Sequence, residues 1–120
     1  MIEPRYSELA ETLGRRSIKA YMQADDQMVV SRQPGAAWPN AGNSFWVSFK
    51  GQHWHLCTWA PRCYQVPCGA DLVALIERFV DCATSAQSAV PLELMTEFGL
   101  VELTLEETEI LFGWNERDDQ

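Results

Sequence analysis

Residues 43–67, NSFWVSFKGQHWHLCTWAPRCYQVP, hold the one strict two-residue hydrophobic alternation in the chain, with turn residues at both reversals. The stretch reads as an antiparallel three-stranded meander over 44–66. Gly51-Gln52 at the tip of a two-residue hairpin, where a first-position glycine suits a type II′ turn, sets Lys50 opposite His53, Phe49 opposite Trp54, Val47 opposite Leu56 and Phe45 opposite Thr58. Phe45, Val47, Phe49, Trp54 and Leu56 then share a core face. Trp46, Ser48, Lys50, His53, His55 and Cys57 share the other face, which mixes aromatic and polar groups. A second reversal near Ala60-Pro61 returns a third strand, Arg62 to Val66, ended by Pro67-Cys68-Gly69. A one-residue slip exchanges Cys63 and Gln65 for Tyr64 and Val66 on its buried side, and the register favoured here buries Cys63.

Working outward, 120 residues with 47% hydrophobic and 22% charged residues make one ordinary globular domain, 1–120, that needs no staple. No apolar run approaches the roughly 18 residues of a membrane span, and MIEPRYSEL lacks the basic start and apolar core of a signal peptide. The expected location is cytoplasmic. Cys57, Cys63, Cys68 and Cys82 form no CxxC pair, so in a reducing compartment they read as free thiols packed as small hydrophobes.

The net charge of −8 is uneven. Acids and bases cancel over residues 1–90, whereas residues 91–120 set nine acids against Arg117 alone. That distribution excludes a nucleic-acid surface, which needs a clustered basic face, and suits a protein partner with a basic surface.

Ser7 to about Gln23 reads as an amphipathic N-terminal helix within 1–24, capped by Ser7, with Glu11 four residues before Arg15 and a weak point at Gly14. Asp25-Asp26 marks a turn, and Met28-Val29-Val30-Ser31 a strand that adds to the meander, so the sheet spans 28–66 with three to four strands. The loop 32–43, RQPGAAWPNAGN, interrupts it and carries Trp38, read either as a lid on the core or as an exposed anchor. Leu72, Leu75, Ile76, Phe79 and Val80 recur at helical spacing, giving a long helix over 71–84 against the Phe45/Val47/Leu56 face. After the small-residue linker 84–90, Pro91 and Gly99 bracket a short helix. Leu100 to Leu103 is extended or a brief turn. Thr104 with Glu107 forms a capping box for a last helix ending near Phe112-Gly113, which completes a helical part over 71–113, and 114–120 reads as a flexible tail.

His53-x-His55-x-Cys57 is the sharpest candidate for chemistry. Alternate strand residues stand about 6.6 Å apart on one face, near enough for two to share a Zn²⁺, whereas His53 and Cys57 at about 13 Å are not. A complete site needs further ligands from Cys63, Cys68 or an acid, and the plainer reading is an outer face partly covered by the N-terminal helix or Trp38. A Cys57/His55 nucleophile pair suffers from poor i, i+2 geometry, and Cys68 ahead of a helix N-terminus is the best placed thiol for a lowered pKa. No GxGxxG, P-loop, GxSxG or HExxH motif occurs, so neither a catalytic residue nor a cofactor is assigned.

The fold class expected is α+β, a small antiparallel sheet packed by a long helix with flanking terminal helices. In composition and layout the chain resembles small bacterial immunity or inhibitor proteins, which implies a non-enzymatic module that neutralises a partner. Glu93, Glu97, Glu102, Glu106, Glu107 and Glu109 would steer a basic partner, with Trp38 and Trp46 as apolar anchors. The alternatives are a metal-binding or thiol-dependent enzyme on the His53/His55/Cys57 face, and an oligomer-forming subunit that hides Trp46 and Tyr64 in a self-contact.

Overall fold

Gly51 and Gln52 both have positive φ, +59° and +71°, so the turn joining β3 (Ser44–Lys50) to β4 (His53–Cys57) is type I′ and not the expected II′. A type I′ turn matches the right-handed strand twist, and the sheet imposes it although a glutamine must then enter the left-handed region. The register is the one read from the sequence, with Lys50 opposite His53, Phe49 opposite Trp54 and Val47 opposite Leu56. The computed structural model describes residues 4–31, 44–58, 62–82 and 89–113. The loop 32–43 with Trp38, the reversal at Ala60-Pro61, Thr84 and most of the linker after it, and the tail 114–120 lie outside the described residues.

Among the described residues the fold is α+β, with a six-stranded antiparallel meander and four helices. The sheet is thus larger than the three or four strands expected. β1 (Lys19–Ala24), β2 (Gln27–Ser31), β3, β4, β5 (Cys63–Val66) and β6 (Val101–Glu102) pair in chain order.

The first extra strand comes from the segment read as the second half of the N-terminal helix. α1 runs only from Pro4 to Arg15, starting on a proline, so Ser7 lies inside it and does not cap it. Its end is a Schellman motif. Ser17 N donates to Gly14 O at 3.1 Å, Ile18 N donates to Leu13 O at 3.0 Å, and Ser17 takes the left-handed conformation at φ +63°. Ile18 and Leu13, the residues such a motif brings together, are both buried. Beyond it the spacing becomes two: Ala20 and Met22 pack against the core while Tyr21 between them is exposed.

β5 corrects a second expectation. Thr58 N donates to Arg62 O at 2.9 Å and Arg62 N donates to Thr58 Oγ1 at 3.2 Å, a clasp beside a register that sets Leu56 opposite Tyr64 and Cys57 opposite Cys63. Tyr64 and Val66 therefore share the core face, and Cys63 lies on the other. Cys63 is buried there as expected, with Gln65 half-buried beside it, because both sides of the meander are covered.

The larger core lies on the Phe45/Val47/Leu56 face. Three helices close it: α1 through Tyr6, Leu9 and Leu13, α2 (Leu72–Cys82) through Leu72, Leu75, Ile76 and Phe79, and α3 (Leu92–Phe98) through Leu94. α2 does pack on the expected face, with Phe79 and Phe45 rings 4.8 Å apart, but it has 11 residues and is not a single long cover. Asp71 Oδ1 accepts from Ala74 N at 3.1 Å and caps it. Two hydroxyls tie this layer to the backbone: Tyr6 accepts from Phe49 N at 2.7 Å, and Tyr64 accepts from Val90 N at 3.2 Å. Truncating fully buried Phe79 to alanine should cost about 3–5 kcal/mol, measured as a lowered urea midpoint.

The two non-glycine residues in the left-handed region give a direct test of the turn and helix-end assignments. Gln52→Gly and Ser17→Gly, both at exposed positions, should each stabilise the fold by about 0.5–1 kcal/mol, less than the steric strain removed because glycine gains entropy when unfolded. Urea unfolding should show raised midpoints at unchanged slope; a lowered midpoint at either position contradicts the assigned conformation.

Candidate functional site

The other face of the meander is closed by α4 (Leu105–Phe112), whose eight residues are held at both ends by their own sequence. Thr104 Oγ1 accepts from Glu107 N at 3.0 Å, and Glu107 Oε1 accepts from Thr104 N at 2.8 Å, the expected capping box. Gly113 closes the helix at φ +74°. Thr108 is buried at 3% exposure, and Leu111 lies near the hairpin tip, its Cδ1 3.6 Å from where a Cβ on Gly51 would be. Phe112 meets Trp46 edge to face at 5.3 Å and His55 at 6.0 Å.

Beneath α4 the sheet presents two cross-strand rows. The first is Val29, Trp46, Cys57 and Cys63, an apolar and thiol cluster packed by Leu103 and Phe112. The second is Ser48, His55 and Gln65, the residue types a closed interior tolerates least without partners. Ser48 Oγ and both ring nitrogens of His55 are buried with no hydrogen-bond partner among the described residues. Burial, then repulsion from His53, lowers the His55 pKa, and the nearby His53 backbone and Gln65 amide oppose this without prevailing. Burial, then the neighbouring Cys63 thiol, pushes the Cys57 thiol far up, so it rests protonated.

The His53/His55/Cys57 set is therefore split. His53 is half-buried at the hairpin end, with Nδ1 3.1 Å from Gly51 O, while His55 and Cys57 lie under α4 and not under the N-terminal helix, one of the two covers expected; the other, Trp38, lies outside the described residues. No group of three His, Cys, Asp or Glu side chains that could hold a metal ion occurs among the described residues. Cys68 is exposed with Sγ 3.9 Å from Gln52 O, and Asp71 already caps the helix that follows.

The six late glutamates do not form one surface. α3 belongs to the large-core side through Leu94, so Glu93 and Glu97 are displayed across the sheet from Glu106, Glu107 and Glu109 of α4. Glu97 is held by Arg78 Nη1 at 2.7 and 2.8 Å, Glu102 by Arg62 Nε at 2.9 Å, and Glu107 is spent on the cap. Glu106 and Glu109 make no ion pair among the described residues. Trp46 at 3% exposure and Tyr64 at 1% are interior residues, so Trp46 is not a surface anchor and neither supplies a self-contact. Three apolar side chains that the sequence did not single out are exposed on β6 and α4: Val101 at 58%, Leu105 at 62% and Ile110 at 66%. The signal for Ile110 was available in the capping box, which fixes the phase of the helix and sets Ile110 opposite Thr108 and Phe112; Leu105 shares the phase of those two, and Val101 lies on β6, so neither was marked in this way.

A shallow open groove of about 350 Å³ lies between α1 and the start of α2, lined by Arg5, Glu8, Leu9, Thr12, Trp54 and Asp71 among others. Arg5 lies over the Phe49 ring at 3.7 Å, Thr12 Oγ1 donates to Glu8 O and Asp71 caps α2, so of its charged and hydroxyl groups the Glu8 carboxylate alone has no contact shown among the described residues. No described helix is long and apolar enough to cross a membrane. No family model, curated protein or solved structure matches this chain.

The buried imidazole makes stability depend on pH with a definite sign. His55 takes up a proton more readily unfolded than folded, so its neutral burial is fully tolerated above its ordinary value of 6.5 and destabilises the fold as pH falls below that. His55→Leu, which removes both unpartnered nitrogens, should remove that part of the acid sensitivity and be neutral or stabilising by about 1 kcal/mol at pH 8. Urea midpoints across pH 5–8 measure both; a His55→Leu chain that keeps the full pH slope, or loses several kcal/mol, contradicts the assignment.

Proposed function

We propose that this chain is a non-enzymatic protein-binding module that docks a basic partner through the outer side of α4 and the adjoining β6. The observation that carries the reading is Ile110, 66% exposed on a helix whose other side is already seated, with Glu106 one turn before it and Glu109 beside it. An apolar centre rimmed by uncompensated acid is what a cationic partner with an apolar contact would recognise. The rim steers the encounter, and Ile110, Leu105 and Val101 supply desolvated contact. Glu93 and Glu97 fall outside this surface because the sheet separates them from it.

Affinity capture from the source cell, with the wild-type chain and an Ile110→Asp/Glu106→Lys variant side by side, tests the proposal. A protein with a basic surface should be retained by the wild type at low salt, released as salt rises, and bound at least about tenfold more weakly by the variant, a change of about 1.4 kcal/mol. Retention indifferent to both salt and substitution would remove the α4 face from consideration.

A further inference from the structure

Cys57 and Cys63 stand directly opposite one another on β4 and β5, both fully buried and both free thiols. The neighbouring pair Thr58 and Arg62 is hydrogen-bonded through its backbone, so the cysteine pair occupies the intervening non-hydrogen-bonded position. There antiparallel strands bring Cα atoms to about 4.5 Å, within the span a disulfide bridges. Register alone therefore preorganises this dithiol, and no backbone rearrangement is needed to join it.

What covers the pair is the weaker of the two layers. α4 is eight residues long with its caps supplied by its own ends, and among the described residues it is seated by Thr108, Phe112 and Leu111 beside Leu103. Beneath it, Ser48 Oγ and both His55 nitrogens would regain water when it lifts. Those three atoms favour the open state, and the open state exposes the thiols.

We propose that Cys57 and Cys63 form a reversible thiol–disulfide exchange site for low-molecular-weight disulfides, reached by displacement of α4. One cysteine thiolate attacks a sulfur of the small disulfide, whose S–S bond breaks and releases one thiolate. The second cysteine thiolate attacks the resulting mixed disulfide, the Cys57–Cys63 bond forms, and the second small thiolate leaves. The two cysteine protons pass through solvent to the two released thiolates, so the chain is oxidised by two electrons and one disulfide is reduced to two thiols. The site is distinct from the outer face of α4 proposed for docking and does not depend on it.

The test is exposure of the full-length chain to oxidised glutathione at neutral pH, with tryptic mapping after the remaining thiols are blocked. Peptides 51–62 and 63–78 should become linked through Cys57 and Cys63, and the link should survive Cys68→Ser. Phe112→Ala should speed its formation about tenfold, the factor one lost aromatic contact gives an opening equilibrium, while Leu92→Ala, at an exposed position of α3 across the sheet, should leave it unchanged. Phe112→Leu should fall between, and it carries the comparison if the alanine variant does not fold. The proposal is overturned if Cys57 and Cys63 remain thiols once exposed Cys68 has been converted, if each takes glutathione without joining the other, or if the Phe112 variants react at the wild-type rate.

Discussion

Pairing of Lys50 with His53 across the Gly51-Gln52 turn fixes which side of the central hairpin every neighbouring side chain reaches. A slip of one residue in β4 would send Leu56 under α4 and turn His55 and Cys57 towards α1 and α2, while Phe45 and Val47 of β3 kept their face. Neither cover would fit. α2 offers Phe79 and Ile76 to an apolar wall, and among the described residues α4 offers Phe112 and Thr108. The turn therefore specifies the sheet and also which of two unlike layers each face receives.

Those layers differ in what they bury. The α1/α2/α3 side is a continuous apolar cluster with its buried tyrosine hydroxyls satisfied, Tyr6 by Phe49 N and Tyr64 by Val90 N. The α4 side encloses two thiols, an imidazole and a serine hydroxyl, and three of its polar atoms lack partners among the described residues. A buried polar group left unpaired costs of the order of 1–3 kcal/mol, as much as a well-placed aromatic contact supplies, so α4 is held by a small balance. The surface pair of Arg62 with Glu102 adds little to that balance in water.

Much of this was legible in the sequence because local chemistry and tertiary packing agree. Gly51 marked the hairpin, Pro91 and Gly99 bracketed α3, and Thr104 with Glu107 announced α4. The failures have particular causes. Ser17 ends α1 in a conformation usually signalled by glycine, and Ile18, Ala20 and Met22 are too few to tell a two-residue period from a helical stripe. β6 has two residues and exists through its pairing with Tyr64 and Gln65, continued by Leu103 N donating to Cys63 O at 2.9 Å, tertiary contacts without a local signature. The acidic run looked continuous along the chain because linear spacing carries no record that α3 and α4 lie on opposite sides of one sheet. The outer face of the meander was visible as peculiar, but its cover was not, since nothing in HWHLC names the phenylalanine more than fifty residues later that packs on it.

The central claim is that α4 is a separately opening cover over a thiol-bearing face whose buried polar atoms lack partners among the described residues. Native-state hydrogen exchange across low urea concentrations measures this most directly, because it resolves the free energy and surface exposure of opening for each amide. Amides of α4 and the Leu103 N–H should exchange together through an opening of lower free energy and smaller urea dependence than those of β2, β3 and β4. Exchange of α4 only through global unfolding, with the same free energy and slope as the central strands, would contradict the account.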